Sequence, residues 1–211
     1  MKRFISFISS LYEQKDTHRV MAFIRANPIT KGHQAVIDAV QNEAKKQNAS
    51  HSVVFSHSQD AEKNPLTPEQ KIKHAKRAFP GVNVTTSSKE NPSILHHLSS
   101  LHKQGIQHVT VVGGSDREPF EHLAKKYNGV EGKHGYYKFK SINFARAGGE
   151  RKETPSGSTE TGVETWSASR MRAAAKKGNR EEFHAGAPDT MNTKQKDEMY
   201  NDVRKGMGIN K

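Results

Sequence analysis

The 211-residue chain contains no cysteine. That absence excludes disulfides, thiolate catalysis and Cys-ligated zinc, and it fits a reducing compartment such as the cytoplasm, the location expected here. No apolar run approaches the roughly 18 residues that a membrane-spanning helix needs. Apolar residues are scarce in general: 32% of the chain is hydrophobic, there is one Trp, and the mean hydropathy is -0.88. A chain this polar has material for one compact core, with much of its length in solvated helix faces and loops. Acidic residues are outnumbered 22 to 34, which leaves a formal charge of +12. Such an excess suits a phosphate-bearing ligand, and it suits nucleic acid equally well. Histidines are plentiful, but His57, His74, His96, His97 and His102 lack the His-x-x-x-His or carboxylate spacing of a metal site, and no protein-held metal is expected.

Strands and helices alternate along the chain. Apolar Val20 to Ile24 is expected as the first strand and 31 to 47 as the first helix. Further strands are expected at 52–55, 82–85, 107–112 and 135–142. Helices are expected at 68–78, 92–103, 116–127 and 167–177, the last ended by Gly178. Thr67 is placed to cap the helix that Pro68 opens, and Phe79-Pro80-Gly81 stops it. This order implies one α/β domain, a Rossmann-like, mainly parallel sheet flanked by helices. We place the domain at 19–185. An amphipathic N-terminal extension (1–18) precedes it, without the small-residue cleavage site of a signal peptide. A polar C-terminal tail (186–211) follows, with a solvated helix over 193–205. The stretch 147–165, rich in Gly, Ser, Thr and Glu, reads as a long loop.

The junction Arg25-Ala-Asn-Pro-Ile-Thr-Lys-Gly-His33 carries the most chemistry. A tight turn between a strand and a helix can aim backbone amides at one spot. A helix N-terminus there adds unsatisfied N–H groups and the positive end of its dipole, which favours an anion. Thr30 and His33 then stand where a phosphate would lie. The turn after the fourth strand, Gly113-Gly114-Ser115-Asp116, also lies at a carboxyl end, so the two turns can face one cleft at a switch in strand order.

Thr30-Lys31-Gly32-His33 resembles the (H/T)xGH signature of the nucleotidylyltransferase superfamily, which includes adenylyltransferases acting on nicotinamide mononucleotide and on phosphopantetheine. Asn27-Pro28-Ile29-Thr30 resembles the lead-in of the Thr-type members. Ser167-Ala168-Ser169-Arg170-Met171-Arg172 resembles the late Ser-x-Ser/Thr-x-x-Arg motif, and Val109 to Asp116 the strand-Gly-x-Asp segment between them. The segments around Asn64-Pro65-Leu66 and Ser115-Asp116-Arg117 look most like nucleotidyltransferase-like proteins encoded by bacteriophages. The resemblance covers roughly 19–190.

What the resemblance implies is transfer of a nucleoside monophosphate, AMP from ATP by family preference, to a phosphomonoester such as nicotinamide mononucleotide. Mg²⁺ would bridge substrate phosphates. His33, Thr30 and Arg172 would be catalytic. Arg25, Asn27, Pro28, Ile29, Lys31, Gly113, Asp116, Ser167 and Ser169 would bind the nucleotide. An oligomer is compatible with all of this. Two positions depart from the pattern: many members carry Gly where Ile24 stands and Phe where Ala26 stands. The alternative is therefore an altered or inactive member of the fold that binds nucleic acid or serves in a virion.

Overall fold

The computed structural model of the protein describes residues 17–114, 118–147, 155 and 166–209. Residues 1–16, Asp116 and nearly all of the 147–165 loop fall outside them, so the expectations made for those residues find no structural counterpart here.

Five strands and seven helices make up the described residues: β1 (His18–Ile24), α1 (Lys31–Lys46), β2 (Ser50–Phe55), α2 (Pro68–Ala78), β3 (Val84–Thr86), α3 (Ile94–Lys103), β4 (His108–Gly113), α4 (Glu118–Lys126), β5 (Ser141–Arg146), α5 (Ala168–Lys177), α6 (Arg180–Gly186) and α7 (Thr193–Gly206). The strands form one sheet in the order β3-β2-β1-β4-β5, and every neighbouring pair is parallel. This is a Rossmann-like α/β domain. The chain moves outward from β1 through β2 to β3, then returns to the other side of β1 as β4. Strand order thus reverses between β1 and β4, and a crevice opens at their carboxyl ends.

Side chains alternate across the sheet as the strand period requires. Val20, Ala22 and Ile24 of β1 pack with Ile37 and Val40 of α1, Met171 of α5, Phe183 of α6 and Met199 of α7. Met21 points the other way, into a second cluster with Leu98 of α3, Val109 and Val111 of β4, and Tyr137. Both faces of β1 are covered, which explains its unbroken apolar run.

The start of α2 follows the sequence closely. The Thr67 hydroxyl accepts from the Gln70 amide at 3.2 Å, and the Gln70 side chain accepts from the Thr67 amide at 2.9 Å, with Pro68 in the first turn. Removing the hydroxyl in Thr67→Ala is expected to lower stability by about 1 kcal/mol, measurable as an earlier urea midpoint with unchanged slope.

Three elements differ from expectation. The last strand is Ser141–Arg146 rather than 135–142. Residues 137–140 do alternate, with Tyr137 and Phe139 buried and Lys138 and Lys140 exposed. Their main-chain groups are engaged elsewhere, however. The Asn128 side chain accepts from the Phe139 amide and donates to its carbonyl, while the Tyr137 carbonyl takes the Gly129 amide. The pattern of a strand is present without a partner ladder. Second, α6 was not expected; Asn179 caps it by accepting from the Glu182 amide at 3.1 Å. Third, α7 is not a solvated helix: Met199, Tyr200 and Val203 are buried against the core.

Candidate active site

Thr30 sits in extended backbone at the N-cap of α1, and His33 occupies the third helical position. The His33 Nδ1 accepts from the Thr30 amide at 3.0 Å and lies 3.0 Å from the Thr30 hydroxyl. An amide can only donate, so Nδ1 carries no proton and the ring proton sits on Nε2. The geometry of the turn therefore sets the imidazole as an Nε2–H donor. Both residues are buried, Thr30 at 1% and His33 at 8% exposure.

The turn before them is held from two directions. Asn27 is buried; its Oδ1 accepts from the Leu66 amide at 2.9 Å and its Nδ2 donates to the Leu66 carbonyl at 3.4 Å, across 39 residues. From the other side, Arg172 donates through Nη1 to the Asn27 carbonyl at 2.7 Å and through Nη2 to the Ser169 hydroxyl at 3.1 Å. The two sequence motifs, 145 residues apart, thus meet in one hydrogen bond. Burial lowers the pKa of Arg172 from its usual value; Asp60 opposes that shift and Arg25 adds to it. A guanidinium so far above neutrality stays charged regardless.

Ser167 caps α5 by accepting from the Arg170 amide at 3.1 Å, leaving exposed Ser169 as the hydroxyl that touches Arg172. Arg170 is built into the frame, stacked 3.9 Å over Trp166 and paired with Glu182 at 3.0 Å. Trp166 is therefore a buried support for the second motif. Arg25 is exposed beside the turn. Lys31 pairs with Asp189 at 2.8 Å, which ties the start of α1 to the chain between α6 and α7. Pro28 and Ile29 are buried, so these residues, with Asn27, shape the turn through side chains directed inward. Ile24 is 5% exposed in the core, and Ala26 adopts φ 41, a left-handed conformation uncommon for alanine.

Gly113 lies at the end of β4, on the wall of a small cleft. Phe23, Val111, Gly114, Phe120 and Phe144 also line it, together with Glu121 and Arg146. It opens on the α3–α4 side of the sheet, at the carboxyl ends of β1, β4 and β5. The turn before His33 follows the carboxyl end of β1 on the α1 side of the sheet.

Sequence reasoning missed three residues of this region. Asp60 accepts from the Asn64 side chain and from the amides of Lys63, Asn64 and Glu62, and these bonds hold its carboxyl down to about 2. Lys71 is fully buried. Leu66 is the partner of Asn27. An Asp two residues before a run of polar residues is a readable turn signal; the other two depend on contacts between distant segments.

The fold and site together describe a parallel α/β domain whose first βα turn and whose α5 N-terminus converge at the switch point. The chain matches no family model and no curated protein.

Proposed function

We propose that this protein is a nucleotidyltransferase. An oxygen of a phosphomonoester attacks the α-phosphorus of a nucleoside triphosphate, ATP by preference. The new P–O bond forms as the bond to the bridging oxygen breaks, and pyrophosphate leaves. The observation that carries this reading is the Arg172–Asn27 hydrogen bond, which joins an Arg from the start of one helix to the anion-type turn at the start of another. A protein that only gripped a nucleic-acid backbone would have no need of two helix starts on one phosphate chain.

The chemistry asks for placement and charge neutralisation more than for a protein nucleophile. In this reading the His33 Nε2–H donates to an α-phosphate oxygen, where negative charge grows. Thr30 steadies the ring and offers its hydroxyl to the attacking or the attacked phosphate. Arg172 uses two of its five N–H donors on protein acceptors, and its remaining donors suit the departing pyrophosphate. Ser169 and Arg25 add donors on the same side. The aromatic-walled cleft beside Gly113 is suited to the planar base of one of the two substrates. The triphosphate would be used as its Mg²⁺ complex, the ion neutralising phosphate charge.

The test is pyrophosphate release from each of the four ribonucleoside triphosphates with Mg²⁺, across phosphomonoester acceptors that include nicotinamide mononucleotide. Release that requires one triphosphate and one acceptor is the expected result. The left-handed Ala26 and the closed-in Ile24 favour a second reading, a member of this fold with lost activity that binds nucleic acid through its +12 charge. No release with any pair, together with nucleic-acid binding that weakens steeply with salt, would select that second reading.

A further inference from the structure

Lys71 stands in the first turn of α2 and is 0% exposed. Lysine is almost never fully buried unless its ammonium is paired. Among the described residues it makes no salt bridge. Its Nζ instead donates to two main-chain carbonyls, Ser56 at 2.7 Å and Ser58 at 2.6 Å. Those carbonyls belong to the chain that leaves the carboxyl end of β2. That same connection continues through the Asp60 turn to Leu66, where it meets Asn27. A methionine would fill the stem's volume without desolvating a charge, so the amine is costly for a packing role.

We propose that Lys71 is a positioning residue of the phosphate corner: its ammonium clamps Ser56 and Ser58, fixes the 57–66 connection, and thereby holds Asn27 and the turn before His33 in register. The purpose of this clamp rests on the nucleotide reading of the corner, whereas the clamp itself is a property of the protein alone. An independent contact supports it. Gly206 at the end of α7 sits so close to Pro65 that an added Cβ would come within 2.0 Å of the Pro65 carbonyl oxygen, so the connection is pressed from behind as well. The connection then has Lys71 at one end, Gly206 near the other, and Asn27 as the group it delivers.

The clamp is sensitive to pH. Burial and the neighbouring Arg25 bring the Lys71 ammonium down to about 8, against the pull of Asp60. Arg25 comes from the turn after β1 and Asp60 from the connection itself; Arg172 of α5 acts on the same pair. A cation with a lowered pKa loses its charge as pH rises through that value, and charge-assisted hydrogen bonds weaken with it.

Amide hydrogen exchange tests the proposal without any ligand. In the full-length protein the protection of the Leu66 amide, corrected for intrinsic exchange, should fall about tenfold between pH 7 and 9. In Lys71→Met it should be low by about that factor at both pH values, with β4 amides from Val109 to Val112 unchanged. Lys71→Gln, which keeps a neutral donor, should lie between the two and show no pH step. Leu66 protection in Lys71→Met equal to wild type would overturn the proposal. So would an equal loss at Leu66 and throughout β4, because that marks a residue serving global stability only. ATP affinity measured on the same samples should follow Leu66 protection. A wild type that shows the Leu66 step yet binds no nucleotide would refute the nucleotide reading and leave the clamp standing.

Discussion

Replacing His33 with alanine is expected to lower the rate of pyrophosphate release about 10²-fold or more while ATP affinity changes by less than about threefold. The expectation rests on where the ring's proton must be. The Thr30 amide occupies Nδ1 at 3.0 Å, so Nε2 is the donor at every pH where the ring is neutral. A donor aimed at a phosphate oxygen gains most when charge accumulates there, in the transition state, and little when the substrate merely binds. Removing it should therefore appear in kcat and only weakly in KM. The residue also anchors the start of α1, and some loss of stability will accompany the change. His33→Asn separates the two effects, because its side chain retains a polar group for the Thr30 amide but is too short to carry a donor to where Nε2 stands. If His33→Asn folds as wild type and turns over at the wild-type rate, His33 is a capping residue and nothing more.

The parts of this fold that could be read in the sequence are those fixed by neighbours along the chain. Thr67, Pro68 and Gln70 specify the start of α2 by contacts three residues apart, and the helix begins where they say. Gly178 ends α5 at φ 76, a conformation open to glycine without penalty. The apolar run at Val20 to Ile24 marks a strand covered on both faces, and β1 is the middle of the sheet. What was hidden depends on partners far away. Tyr137 and Phe139 alternate with lysines as a strand would, yet Asn128 takes the hydrogen bonds that a ladder would have used. The polar C-terminal segment gave no strong apolar face, yet three residues of α7 were enough to dock it, helped by Arg204 donating to the Ala175 carbonyl at 2.6 Å and by His74 and Asp202 at 2.9 Å. The site divides in the same way. Thr30 and His33 are three residues apart, so their pairing is implied by the motif. The grip on Asn27 comes from Leu66 and Arg172; the late motif marks Arg172 without its reach to Asn27, and no local rule points to Leu66. The expectation for Asn27 concerns the main-chain amides of its turn; its side chain reaches Leu66 and its carbonyl accepts from Arg172, so the residue also builds the turn.

Arg172→Ala is expected to reduce kcat/KM for the triphosphate by about 10²- to 10³-fold, with a much smaller loss in binding a nucleoside monophosphate. Two consequences combine. The first is direct: the departing pyrophosphate loses a bidentate cation at the start of α5. The second is geometric: the Asn27 carbonyl loses its 2.7 Å partner, and Asn27 then keeps its bonds to Leu66 without the brace from α5. Arg172→Lys distinguishes these contributions. A lysine restores the charge but is a single point donor, and it cannot engage the Asn27 carbonyl and the Ser169 hydroxyl as the planar fork does. Partial recovery of triphosphate affinity without recovery of kcat would show that charge binds the ligand and the fork sets the geometry. Equal loss of monophosphate and triphosphate binding in Arg172→Ala would contradict the pyrophosphate role and assign Arg172 wholly to the turn. The Lys71 clamp enters here as well, since Leu66 then becomes the remaining anchor of Asn27. Arg172→Ala and Lys71→Met should each loosen one of two supports of the same residue, and their combined cost in kcat/KM should exceed the sum of the separate free-energy losses, as expected for groups that share a partner.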